Sequence, residues 1–110
     1  TDTSLITVFY RGQPQMDGSG WGGFYFDNTQ GAEYAFNLGV GFAANPHNYG
    51  RIWFPCFDNF VERSQYEFVI TCDSARRSFC NGELVNEQLN GNSRTRTWVL
   101  NEEIPTYLAG

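Results

Sequence analysis

Residues 65–72 read QYEFVITC, and this stretch decides the fold. Large aromatic or aliphatic side chains occupy every second position, at Tyr66, Phe68 and Ile70, and the positions between them hold Glu67, Val69 and Thr71. A repeat of two residues is typical of a β-strand that buries one face and exposes the other. The sequence therefore predicts a strand over residues 65–72.

Two strong turn signals follow this strand, Asn81-Gly82 and Asn90-Gly91. Asn-Gly pairs favour the tight turns that join antiparallel strands. Residues 83–88 and 94–100 flank the second turn, so we predict that they pair as a hairpin. Residues 104–108 are predicted to form a last short strand.

Three more β-rich segments precede the central strand. Residues 4–11 (SLITVFYR) are rich in β-branched and aromatic side chains, and residues 21–26 (WGGFYF) and 32–38 (AEYAFNL) are joined by the turn signal DNTQG at 27–31. No segment reads as a convincing helix. We predict an all-β chain, an antiparallel β-sandwich or partial sandwich of short strands, forming one domain or domain fragment over residues 1–110.

The charge and hydropathy of the sequence argue against binding to nucleic acid and against a membrane-spanning segment. The net charge is −5, and the seven basic residues are all arginines with no basic cluster, which disfavours nucleic acid. No apolar run is long enough to span a bilayer. The first residues, TDTSLITV, lack the basic and long apolar regions of a signal peptide, so none is expected.

Several residues could carry chemistry. Gly18, Gly20 and Gly23 match GxGxxG, but no strand precedes them and no helix follows, so a flexible turn is the favoured interpretation. Cys56 with His47 as its base would need a third group to orient the histidine, and a small buried side chain is the simpler role for Cys56. Trp21, Trp53 and Trp98 could stack sugars or, more simply, fill the core.

The cysteine and histidine content leaves two alternatives open. Three cysteines without a CxxC pair and one histidine give little sign of zinc. Cys72 and Cys80 could pair as a cross-strand disulfide. Free thiols are slightly favoured, since thiols are the default unless an oxidising compartment is shown. Cys56 is expected to be free in either case.

The stretch GRIWFPCFDNF, residues 50–60, crowds four large aromatic side chains around a proline and a cysteine. A carboxylate among aromatic rings is rarely left unpaired. We therefore predict that Asp58 pairs with Arg51 and closes this loop.

The same stretch resembles a signature of the aminopeptidase N family of zinc metallopeptidases. The residues that carry the resemblance are Arg51, Phe54, Pro55, Cys56, Phe57 and Asp58. Residues 66–72 are similar to the family's next strand, Asn81-Gly82 to its Asn-Gly turn, and residues 104–108 (IPTYL) to its closing segment. The similarity is good over residues 39–110 and looser over 1–38.

The resemblance implies an N-terminal β domain, with the substrate cleft near Phe42, Asn45 and His47. Two features depart from the family pattern. Phe60 stands where the family usually has proline, and residues 39–45 (GVGFAAN) lack the glutamine or glutamate that binds a substrate's free amino end.

The resemblance also implies that the catalytic domain is a separate part of the same polypeptide. Family chemistry needs an HExxH helix that holds zinc, and one histidine cannot supply it. We therefore expect a non-catalytic segment without a cofactor, whose parent enzyme holds the zinc and whose partners are the catalytic domain and a peptide substrate at the cleft. Open sheet edges would also allow dimerisation. The alternative is a free-standing carbohydrate- or protein-binding β module.

Overall fold

Five antiparallel strands form two sheets in the computed structural model, which describes residues 2–29 and 31–110. The strands are β1 (Gly22–Asp27), β2 (Tyr34–Gly41), β3 (Arg63–Asp73), β4 (Glu83–Asn90) and β5 (Ser93–Pro105), with 3-10 turns at Gly50–Ile52 and Thr106–Leu108. One sheet has the order β1-β2 and the other β3-β5-β4. The all-β expectation is confirmed. Thr1 and Gln30, the latter part of the turn predicted at 27–31, lie outside the described residues.

The three-stranded sheet follows the predicted alternation. Phe68 is buried on β3, its neighbours Glu67 and Val69 are exposed, and Phe68 lies opposite Trp98 of β5. The predicted hairpin is also present, since Asn90 pairs with Ser93 across a two-residue loop. These strands form where apolar and polar residues alternate in the sequence, because one face of the sheet is covered and the other face is exposed to solvent.

The segment between β3 and β4 covers the inner face of this sheet. Arg94 donates from Nε to the Ser74 carbonyl at 3.1 Å, and Arg96 donates from Nη1 to the Ser78 carbonyl at 3.0 Å. Glu87 of β4 pairs with both guanidinium groups, and Arg96, then Arg94, lowers its pKa from the usual value. Arginine side chains thus fasten a connecting loop onto the sheet.

The two-stranded sheet is faced with aromatic rings. Tyr25 of β1 stacks on Phe36 of β2 at 4.8 Å between ring centroids, and Tyr34 stacks on Phe36 at 5.9 Å. Phe24 points to the other face, because successive strand residues alternate. One face of this sheet therefore carries the stacked rings, and the other carries Phe24.

Aromatic contacts join the two sheets. Trp53 lies 6.4 Å from Phe24 of β1 and 6.2 Å from Phe68 of β3, measured between ring centroids. Trp53 follows the first 3-10 turn directly, so the loop of residues 50–60 is what places this ring between the sheets. The structure is a partial sandwich with a thin core.

Two predicted strands differ from the structure. Residues 4–11 form no strand; Leu5 and Phe9 are 93% and 94% exposed. The chain touches β1 only later, through the Met16–Gly23 bridge. Residues 104–108 are not a separate strand: Ile104 and Pro105 continue β5, and the 3-10 turn Thr106–Leu108 ends it.

The cysteines are all free thiols and each is half-buried. Cys72 points its Sγ to the Arg76 carbonyl at 3.6 Å. In the part of the chain that the structure describes, no helix has the length and apolar character needed to cross a bilayer.

Candidate functional site

Asp58 holds the loop of residues 50–60 closed. Its carboxylate accepts hydrogen bonds from the backbone N–H groups of Gly50 and Arg51 at 3.1 and 3.2 Å and forms an ion pair with the Arg51 guanidinium at 2.6 Å. The carboxylate side chain is 6% exposed and the arginine 45%, so the pair is buried on one side only. The predicted Arg51–Asp58 pair is confirmed.

Neighbouring residues complete the closure of this loop. Arg51 also donates to the Asn48 carbonyl at 2.9 Å, and the Asn48 side-chain amide donates to the Asp58 carbonyl. Asn48 is fully buried. The loop is therefore held at both ends by backbone and side-chain hydrogen bonds, which fixes the direction of the aromatic residues between them.

Residues 104–108 pack against the loop of residues 50–60. Thr106 donates from Oγ1 to the Phe57 carbonyl at 2.9 Å, and the rings of Phe60 and Tyr107 meet edge to face at 5.4 Å. Two segments 49 residues apart in the sequence thus form one structural unit. Pro105 helps to form it, since β5 ends there and the chain turns towards the loop.

Cys56 lacks the surroundings of a nucleophile. Burial, and then the negative charge of Asp58, raises the pKa of its thiol to about 11, although Arg51 acts in the opposite direction. Only the thiolate is nucleophilic, so the raised pKa leaves little of Cys56 in the nucleophilic form near neutral pH. Among the described residues no hydrogen bond joins His47 to Cys56; the Nδ1 of His47 lies 3.2 Å from the Gly41 carbonyl, and its ring stacks on Phe42.

The residues expected near a substrate cleft lie together on one exposed loop. Phe42, Asn45 and His47 are all exposed between β2 and the first 3-10 turn. Phe42 is tied to the neighbouring loop by its backbone N–H, which donates to the Trp21 carbonyl at 3.2 Å. The loop offers an aromatic ring, an amide and an imidazole to solvent.

Sequence reasoning missed Asp17. This residue is 5% exposed, and its carboxylate accepts from the Ser19 hydroxyl at 2.6 Å and from the backbone N–H groups of Ala43 and Ala44 at 2.8 and 3.1 Å. An Asp two residues before a Ser in a glycine-rich stretch is a turn signal that pointed to the first contact. Nothing in the sequence indicates the contacts with Ala43 and Ala44.

The contacts of Asp17 also argue against a nucleotide-binding loop at Gly18, Gly20 and Gly23. A phosphate loop presents free backbone N–H groups to an anion. Here the Asp17 carboxylate already accepts hydrogen bonds from Ser19, Ala43 and Ala44. A second anion would meet a negative charge in the same place.

The three tryptophans do not form one platform. Trp53 lies between the sheets, and Trp98 lies on the inner face of β5, where its ring is 6.0 Å from Phe79. Trp21 is 56% exposed at the start of β1. The simpler interpretation of Trp53 and Trp98 as core residues therefore fits the structure.

Two clefts lie on the surface of the described chain. One has a volume of about 230 Å³ and lies between residues 10–14 and 51–55. It is smaller than the roughly 300–1,000 Å³ of typical small-molecule sites. The other, about 460 Å³, is lined by Glu33, Tyr34, Asp27 and Arg76, whose polar groups pair with one another.

Within residues 2–29 and 31–110, no three His, Cys, Asp or Glu side chains come together as metal ligands. We assign no metal-dependent step to this chain.

Comparison of the chain with protein-family models, with curated proteins and with solved structures finds no match.

Proposed function

We propose that this chain is a non-catalytic β segment of a zinc aminopeptidase. It would pack against the catalytic domain of the same polypeptide and form one wall of the peptide cleft. Zinc and the HExxH helix would belong to that catalytic domain, which would hydrolyse N-terminal residues of peptides.

One observation carries the proposal. Residues 51–58 and the IPTYL segment of residues 104–108 both resemble the same family, and they touch through the Thr106–Phe57 hydrogen bond. Two unrelated chance similarities would have no reason to meet in space. Their contact supports an origin in one structural unit.

The loop carrying Phe42, Asn45 and His47 is the part proposed to face the peptide. The Phe42 and His47 rings stack at 6.1 Å between centroids, which gives an exposed apolar surface beside a polar rim. Such a surface suits the side chain of a peptide residue better than its charged amino end, since no carboxylate lies within residues 39–45.

The test is to read the gene that encodes this chain and to express its whole product. We expect an HExxH sequence downstream in the same reading frame and peptidase activity in the whole product. In that product, Phe42→Ala should raise KM for peptides with little effect on kcat, because it would remove binding and leave the chemistry intact. Phe79→Ala is the matched control, since Phe79 is also exposed but lies in the connection between β3 and β4, beside Trp98 of the other sheet. A reading frame without HExxH would overturn the proposal.

A second candidate is a free-standing carbohydrate- or protein-binding module. The observation that favours it is the partly exposed row of stacked rings on the two-stranded sheet, Tyr25, Phe36 and Tyr34. Planar rings in a row suit the apolar faces of sugars. Titration with oligosaccharides, using Tyr34→Ala as the variant and Phe79→Ala as the control, would detect this activity in the chain alone.

A further inference from the structure

Residues 4–11 are a strand-forming segment without a strand partner. The sequence Ser-Leu-Ile-Thr-Val-Phe-Tyr-Arg is one of the most strand-prone in the chain, with three β-branched residues and two aromatic ones. Yet no backbone hydrogen bond ties residues 2–14 to the rest of the described chain. The segment also exposes nearly the whole of Leu5 and Phe9.

β4 is the sheet edge that matches this segment. It lies at the outside of the order β3-β5-β4, and all eight of its residues are exposed. Its backbone groups on the side away from β5 are open, as on any edge strand. β4 and the segment of residues 4–11 have the same length.

The other edges suit the segment less well. On β2, residues 39–41 are already bonded to His47 and Tyr49. On β1, Phe24 donates to the Gln15 carbonyl, and the chain leaves the strand at Pro14. On β3, Val69 is the large apolar side chain that is exposed, whereas β4 exposes three: Leu84, Val85 and Leu89.

We infer that residues 4–11 of one copy pair antiparallel with β4 of a second copy, in the register that sets Ser4 opposite Asn90 and Val8 opposite Asn86. This register sets Leu5 opposite Leu89. β4 is irregular between Leu84 and Asn86, so the regular pairing covers residues 86–90, and Phe9 and Tyr10 then lie near Leu84 and Val85 without a fixed one-to-one pairing. A directly opposite apolar pair such as Leu5 and Leu89 stabilises an antiparallel sheet.

Exchange between two copies pairs both segments of residues 4–11 and both β4 edges. Each copy carries one segment to donate and one β4 edge to accept it. Reciprocal donation therefore closes a symmetric dimer and leaves neither segment unpaired. The dimer does not depend on the proposed peptidase origin, because it needs only residues that this chain contains.

The first experiment measures association of the whole chain by sedimentation velocity over a concentration series. We expect a dimer whose fraction rises with concentration. Thr7→Pro should abolish it, since proline removes a backbone donor from the middle of the segment. Thr3→Pro lies just outside the segment and is the matched control. Both variants should keep the wild-type circular dichroism, because residues 2–14 make no backbone hydrogen bond in the single chain.

The second experiment tests the partner strand by cross-linking. A Leu5→Cys chain is mixed with a Leu89→Cys chain under oxidising conditions, and a parallel mixture uses Val69→Cys on β3. Opposite residues of an antiparallel pair come within disulfide range, so the first mixture should give covalent heterodimer in at least several-fold excess over the second. A monomeric wild type, a Thr7→Pro variant that dimerises like the wild type, or equal cross-linking in the two mixtures would overturn the inference.

Discussion

The residue Asp58 illustrates how one carboxylate can hold a loop. It accepts two backbone N–H groups and one guanidinium, and its side chain is almost fully enclosed. We expect Asp58→Asn to destabilise the chain by about 1–3 kcal/mol, since an amide oxygen cannot replace both carboxylate oxygens and a buried donor loses its acceptor. The half-exposed arginine keeps the loss below the roughly 3–5 kcal/mol of a fully buried pair.

The urea unfolding midpoint measures this effect. Glu62→Gln is the matched control, because Glu62 is exposed and close in sequence. Equal midpoints for Asp58→Asn and Glu62→Gln would contradict the role given to Asp58.

Asp17 predicts a dependence of stability on pH. The Ser19 hydroxyl, followed by the Ser19 backbone N–H, lowers the pKa of Asp17 from 3.8 to about 2, against the opposing effect of burial. Because the folded pKa lies below the unfolded value, the stabilisation is present above pH 3.8 and is lost as the pH falls towards 2. The free energy of unfolding of Asp17→Asn should therefore differ most from that of the wild type near neutral pH.

Urea titrations at several pH values check this dependence. The difference in free energy of unfolding between the wild type and Asp17→Asn should narrow between pH 3.8 and 2. Asp2→Asn, at an exposed position, is the comparison that should show no such narrowing. A constant difference down to pH 2 would show that the Asp17 hydrogen bonds do not depend on its charge.

At the scale of elements, the turn before β4 depends on Gly82. Its φ is +92°, and a Cβ added there would overlap the backbone carbonyl of Val99 on β5. We expect Gly82→Ala to cost about 2 kcal/mol or more, from the strained φ and the overlap together. Gly18→Ala is the control, since Gly18 has open space around it. Calorimetric melting of both variants measures the cost, and equal melting temperatures would contradict it.

The elements also show which parts of the fold can be predicted from sequence. The β4–β5 hairpin and the Arg51–Asp58 pair were predictable because their partners are close in the chain and the pattern between them is local. The strand predicted at residues 4–11 was wrong because alternation and β propensity describe a segment, whereas a strand also needs a free edge within reach.

The candidate site was predictable to a smaller extent. The sequence indicates the loop of residues 50–60, but not its contact with Thr106 or the contacts of Asp17 with Ala43 and Ala44. Those contacts join segments that are 49, 26 and 27 residues apart. With no local pattern to mark such pairs, only the folded chain reveals them.

At the scale of the whole molecule, Trp53 is a side chain that contacts both sheets. It contacts Phe24 on one side and Phe68 on the other. We expect Trp53→Ala to destabilise the chain by about 2 kcal/mol or more, approaching the range for large core aromatics. Trp21→Ala, which removes an exposed ring, should have a much smaller effect.

Far-UV circular dichroism during heating measures the coupling between the sheets. The wild type should unfold in one transition, and Trp53→Ala should broaden it as the sheets unfold more independently. A melting curve for Trp53→Ala as steep as that of the wild type, at the same temperature, would mean that the sheets are joined elsewhere.

The central place of β5 sets an order of events during folding. Its pairing with β4 spans a two-residue loop, whereas its pairing with β3 begins at Asp73–Ser93 and reaches Arg63–Pro105. A hairpin of the first kind closes in about 1–10 μs, and longer connections lose more chain entropy before they gain contacts. The hairpin should therefore nucleate the sheet and β3 should dock later. In stopped-flow kinetics, Gly91→Ala in the hairpin loop should mainly slow folding, and Val69→Ala on β3 should mainly hasten unfolding.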